Sequence, residues 1–319
     1  MNTRPLSRLV RRPGGVFGLV VVALLLIAAA VSLVWTPHPL LDTDVANSYQ
    51  GPSAAHWLGT DAIGRDTASW LMAGARTTVV VAVLSTVIAG IVGIGLALAG
   101  SLAPRWVREP LVVVVDVLIA FPTLPIAMLL ASTFGGSLGV VVVAVGVGFG
   151  FAIARVVRPE IARVHRADFV LASRAAGVRP FRAVVSHVLP NAGPLLFVQL
   201  SLAAAFSILS EAGLSYLGYG APSGTPSWGR LLNDSQQYIT VVPSAVVWPG
   251  LTITVTILGI TLLGDALREA FDPRLFRRAL TAAASVAEPP AIEDARLGHP
   301  AAPPVTAAAA PVTRQGASR

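Results

Sequence analysis

Six apolar stretches decide what this chain can become. They cover about 16–35, 77–100, 111–132, 138–153, 194–214 and 245–263, and most of them hold no charge. A helix needs about 20 apolar residues to cross a bilayer. Inside hydrocarbon every backbone N–H and C=O must be paired within the segment, so such runs fold as helices. Only 12% of residues are charged and 54% are hydrophobic; a soluble domain carries about 25% charged residues. The chain is therefore read as all-α and polytopic, with a membrane domain over 16–276.

Between the runs the chain is punctuated by turn and cap residues. A basic arm, 1–15, holds Arg4, Arg8, Arg11 and Arg12. The first run is longer than the apolar core of a cleaved signal peptide, about 7–15 residues, so it reads as a retained helix. Segment 36–76 is rich in Pro and Gly, and Asp66 stands where an N-cap would start a short helix over 67–76 leading into the second run. The third run carries Asp116, then Pro122 and Pro125, which should kink or break it. Glycines 139, 146, 148 and 150 in the fourth permit close helix approach. The fifth carries Glu211, and 215–243 is a polar loop with Trp228 and Tyr238. From 277 to 319 the composition turns to Ala and Pro, as expected of a disordered tail.

The arginines give an orientation. All 23 basic residues are arginine. Six crossings put both termini on one side with the loops near 101–110 and 155–191. That side carries twenty arginines, against Arg65, Arg76 and Arg230 on the other. The positive-inside rule places the twenty, and both termini, in the cytoplasm. Membrane lipid and topology account for the net +7, with no nucleic acid required. Without lysine the chain cannot form a P-loop for ATP, and it has neither a GxSxG elbow nor an HExxH pair. It is not read as an enzyme, and no cofactor or metal is expected in it.

The cytoplasmic segment 158–191, RPEIARVHRADFVLASRAAGVRPFRAVVSHVLPN, concentrates six arginines between two apolar runs. Helix signals run over 159–176, Gly177 stands as a C-cap, and a second short helix is expected over 181–188, closed by Leu189, Pro190 and Asn191. Ala172, Ser173, Ala175, Ala176 and Gly177 form a small-residue patch beside Phe169, Val178 and Phe181, rimmed by Arg166, Arg174, Arg179 and Arg182. Pattern alone supports two readings equally: a protein-docking face, or an amphipathic helix resting on headgroups.

At this point the residues carry a resemblance. Asp168 to Gly177 (DFVLASRAAG), followed after nine intervening residues by His187 and then by Val188 to Asn191 (VLPN), resembles the EAA signature of ABC importer permeases. HWLGTDAIGRDTASWLMAGAR, LSEAGLSYLGYG with TPSWGRLL, and GDALREAFDPRL are similar to blocks of the dipeptide/oligopeptide/nickel permease family, in its second subunit type. The resemblance spans roughly 15–276. It implies the type I ABC importer permease fold of six helices, and an ATP-driven importer for peptides or a related small solute. It also implies partners: a homologous permease, two cytoplasmic ATPases that hold ATP and Mg, and an extracytoplasmic binding protein. On it, Asp168, Phe169, Leu171, Ala172, Ser173, Ala176, Gly177, Val178, His187 and Pro190 would form the ATPase-coupling segment. The family usually has Glu at Leu171 and Ala at Ser173, so an apolar docking contact is expected here.

Gly59, Asp61, Gly64, Arg65, Asp66 and Trp228 would pin the outer loops or form part of a gate, with Trp228 and Tyr238 fitting an interfacial aromatic belt. Intramembrane Asp116 and Glu211 are functional candidates by default, but a structural role is the favoured reading of both: Asp116 can reach the interface or Arg155, and Glu211 lies near the outer end of its helix, where it can find a partner. A proton-coupled secondary transporter would use such acids, and a membrane scaffold would need none. His38 and His56 read as exposed outer-loop positions without a metal.

Overall fold

The computed structural model describes residues 12–240 and 242–271. They belong to a compact unit over Met1–Pro273, and Arg274–Arg319 forms a second unit outside the described residues. The basic arm up to residue 11 and the expected tail over 277–319 also lie outside them.

The described residues are helical. The long elements are α1 (Pro13–Val31), α2 (Thr67–Leu102), α3 (Arg105–Ala120), α4 (Thr123–Phe134) and α5 (Leu138–His165). A short α6 (Asp168–Ala175) follows, then α7 (Pro180–Tyr216), α8 (Trp228–Ser235) and α9 (Ser244–Phe271). Helices α1, α2, α5, α7 and α9 are each long and apolar enough to cross a membrane. α3 and α4 together make the sixth such unit, broken by an 82° bend. The bend falls at Phe121 and Pro122, where the proline ring disfavours helical geometry in the residue before it.

α2 and α5 form the central pair, with α7 against both and α9 between α1 and α7. Glycine permits the closest approach of the central pair. A Cβ at Gly146 would fall 2.8 Å from Ile88 Cβ, and one at Gly150 2.7 Å from Val92 Cγ1. Gly93 does the same from α2, 2.6 Å from Ile153 Cγ2. Gly139, expected to act likewise, meets only its own cap residue Ser137.

Prolines do less to end helices than the sequence suggests. The helix expected to begin at Pro159 is instead the last two turns of α5, which runs through Pro159 to His165. An interior proline costs about 3 kcal/mol. Beyond it Ile161 and Val164 continue the buried stripe of Ile153 and Val157. Withdrawing each of those two from water yields about 1.5–3 kcal/mol, which offsets the proline. Pro190, expected to end a short helix, lies inside α7. Over Val184–Val188 the turn widens to π geometry, and Leu189 N–H donates to Val184 C=O, five residues back. The wider turn carries the chain past the missing N–H of Pro190. Val184, Val188, Ala192 and Leu196, at every fourth position, hold that stretch in the core.

Candidate functional site: a rigid helical elbow and a hydrogen-bonded lock

Two clusters, at opposite ends of the bundle, gather the residues singled out above. At one end the chain leaves α5, makes the short α6, turns, and enters α7. Val170 is fully buried and anchors α6 to the core. Asp168 occupies the first turn of α6, where a carboxylate favours the helix dipole. Gly177 ends it at φ +86°, the left-handed conformation that glycine adopts without strain. Val178 N–H donates to Ser173 C=O at 3.1 Å and Gly177 N–H to Arg174 C=O at 3.0 Å, the two bonds of a Schellman cap. The elbow is therefore rigid although little covers it.

What this elbow exposes is apolar with a basic rim. Phe169 and Leu171 are half exposed and Phe181 is 80% exposed. Ala172, Ala176 and Gly177 are exposed, and Ser173 and Val178 partly so. The Phe169 ring meets His187 edge-on at 6.4 Å, which ties α6 to the π-turn. Pro190 is exposed. Arg174, Arg179 and Arg182 are exposed around the aromatic side chains.

At the other end, two turns and a helix start are locked together. Asp61 is buried, and its Oδ1 accepts from the N–H groups of Ile63 (3.0 Å) and Arg65 (2.9 Å). Its Oδ2 takes Arg65 Nε at 2.6 Å. The Arg65 guanidinium lies 3.8 Å over the Trp70 ring and reaches Asp234 at 3.4 Å. Arg230 holds the other oxygen of Asp234. Gly59 and Gly64 sit at φ +82° and +79°, with no room for a Cβ. Asp66 caps α2: its Oδ2 accepts from Ser69 N–H at 2.8 Å and Ser69 Oγ at 2.7 Å. Behind this lock, Glu211 Oε1 accepts from Ser215 at 2.7 Å and from Ser227, the N-cap of α8, at 2.8 Å.

The comparisons with known proteins fall in line with this geometry. Residues 91–277 match the family described as the binding-protein-dependent transport system inner membrane component. Residues 5–52 match the N-terminal transmembrane domain of oligopeptide transport permease C. The dipeptide transport system permease protein of Alkalihalophilus pseudofirmus is 32% identical over 260 residues, 82% of this chain and 86% of that protein. The nickel transport system permease protein of Escherichia coli is 35% identical over 261 residues, 81% and 93% of the two chains.

The chain belongs to this family of ABC importer permeases.

A chain of the MetNI methionine ABC transporter, in an inward-facing conformation, shares the permease's fold. It has a TM-score of 0.52 at 18% identity and covers 64% of this chain and 96% of that one. The permease is thus a multi-pass membrane protein of the type I importer fold.

Two site readings change with the structure, those of Trp228 and of the two histidines. Trp228 is not a belt residue: it is buried, its indole N–H donates to Leu71 C=O at 2.9 Å, and its ring lies where Gly74 has no Cβ. His38 and His56 are not exposed; both are half-buried, with rings 4.6 Å apart. Asp116 pairs with Arg155 at 3.7 Å, both half exposed, so its charge is met at the helix surface. Sequence reasoning also missed residues. Asp234, which joins Arg65 to Arg230, carried one available signal, its spacing of four from Arg230 on a helix. Ser215, four residues from Glu211 on the same helix, carried that same signal; Ser227, which meets Glu211 across a loop, carried none.

Proposed function

We propose that this permease forms half of the pathway of an ATP-driven importer, paired with a homologous permease subunit, and that α6 with the start of α7 couples it to cytoplasmic ATPases. ATP and Mg would be held by those ATPases and not by this chain. An extracytoplasmic binding protein would deliver the solute, a peptide or a related small molecule, a class suggested by the dipeptide and nickel permeases it resembles. Both termini and the elbow would lie on the cytoplasmic side of the cell membrane, a reading the arginine distribution supports.

The observation that carries the coupling role is the elbow itself. Exposed Phe169, Leu171 and Phe181 project from a capped turn anchored by buried Val170. Aromatic and aliphatic side chains at the centre of a polar rim are what a protein-docking hot spot requires. With Leu171 in place of the family's acid, the partner's facing pocket would be apolar, and its rim acidic toward Arg174, Arg179 and Arg182. A proton-coupled mechanism would need a carboxylate that exchanges between two sides. Glu211 instead is buried and bound by two serines.

Gly177→Trp tests the reading. A Cβ there would meet no atom within 4 Å, so a side chain starts into open space, and the strain falls on the local turn at φ +86°. The variant is expected to insert in the membrane at wild-type level, to lose co-purification of the ATPases, and to lose uptake of labelled peptide. Undiminished uptake would sink the coupling role.

A further inference from the structure

His38, His56 and Asp66 lie far apart in sequence, and none of the roles above uses the two imidazoles. One ligand atom from each of the three lies within 4.8 Å of the other two. His56 Nδ1 stands 3.0 Å from Asp66 Oδ1. In a tetrahedral site with bonds of about 2.0–2.1 Å, neighbouring ligand atoms are about 3.3 Å apart, so this pair already has nearly the edge of such a site.

At His38 the surrounding bonds also leave the right lone pair; at His56 the ion would replace the proton that Nδ1 shares with Asp66 Oδ1. His38 Nε2 is 2.8 Å from Ala55 C=O. A carbonyl only accepts, so Nε2 carries the proton and Nδ1 carries the bare lone pair. A backbone carbonyl fixing the other nitrogen of an imidazole is the common support of a metal-binding histidine. Asp66 divides its work: Oδ2 caps α2 through Ser69, and Oδ1 faces His56. His38 is held by its own N–H to Ser69 Oγ at 2.9 Å, and His56 by its N–H to Ser53 Oγ at 3.0 Å.

We propose that His38, His56 and Asp66 bind one divalent transition-metal ion of the zinc and nickel class, which clamps the segment after α1 to the start of α2. Two imidazoles and one carboxylate suit such ions, whereas Mg and Ca take all-oxygen sets. The charge of the ion is met by buried Asp66, and three protein ligands leave one position for water.

The test is calorimetric titration of the metal-free, full-length permease in lipid nanodiscs with zinc chloride, then with nickel chloride. The readout does not depend on transport. One ion per chain is expected. His38→Gln keeps a donor for Ala55, and Asp66→Asn keeps the cap oxygen, since Asn caps about as well as Asp. Each of these, and His56→Gln, is expected to weaken binding by at least about tenfold while the metal-free unfolding temperature of His38→Gln stays at the wild-type value. Absence of stoichiometric binding to the wild type overturns the proposal. Equal affinity in His38→Gln and His56→Gln overturns it as well.

Discussion

At the scale of single residues, Asp61 is the clearest structural acid in the permease. Its carboxylate serves two backbone N–H groups and a guanidinium, all within 3.0 Å, and it is out of water. Asp61→Ala leaves Arg65 short of its nearest counter-charge and two N–H groups without an acceptor. Breaking a buried pair from one side costs about 3–5 kcal/mol. The expected outcome is a fall of that order in stability against thermal unfolding in nanodiscs, with Asp61→Asn intermediate. Tyr49 gives a second test. Burial, and then the neighbouring Tyr238, Asp61 and Asp234, push its phenol up to about 12. The unfolded value is about 10, so the neutral phenol is favoured in the fold. Its contribution is complete below pH 10 and is lost as pH rises from 10 toward 12. Tyr49→Phe is expected to flatten the dependence of stability on pH in that window and to leave the dependence at pH 7–9 as it is.

At the scale of elements, the α2–α5 contact rests on small residues. Gly146 faces Ile88 and the Ser85 carbonyl so closely that any side chain must push the helices apart. Gly146→Leu is expected to destabilise by about 1–3 kcal/mol, read as a lowered unfolding temperature. Gly139→Leu is the matched control and should change little, because Gly139 is exposed and a Cβ there would meet nothing nearer than Ser137 at 3.9 Å. The cap of α2 by Asp66 was legible because a cap needs only its own few residues. The fate of Pro159 and Pro190 was not. A proline's cost is local, but what offsets it is the packing of Ile161, Val164, Val184 and Val188 against other helices, which a window of sequence does not contain. For the same reason Trp228 read as an aromatic at a surface, when its partner is a glycine on a helix 150 residues earlier.

At the scale of the whole molecule, the orientation can be tested directly because the permease has no cysteine. Single cysteines at exposed Arg174 and at exposed Phe134 lie at opposite ends of the bundle. In intact cells a membrane-impermeant maleimide is expected to label Phe134→Cys and to spare Arg174→Cys, which should react only after lysis. The reverse pattern would invert the topology.

The sequence by itself determined that the chain is built of membrane-spanning helices, and where helix α2 begins and the Gly177 turn falls. Those outcomes follow from hydrophobicity along the chain and from caps that bond to residues within one turn. Only the tertiary structure decided which acids are met by partners and which prolines are absorbed. It also decided that His38, His56 and Asp66 converge. Each of those depends on a neighbour delivered by another helix or loop, and that neighbour's distance is set by packing and not by position in the chain.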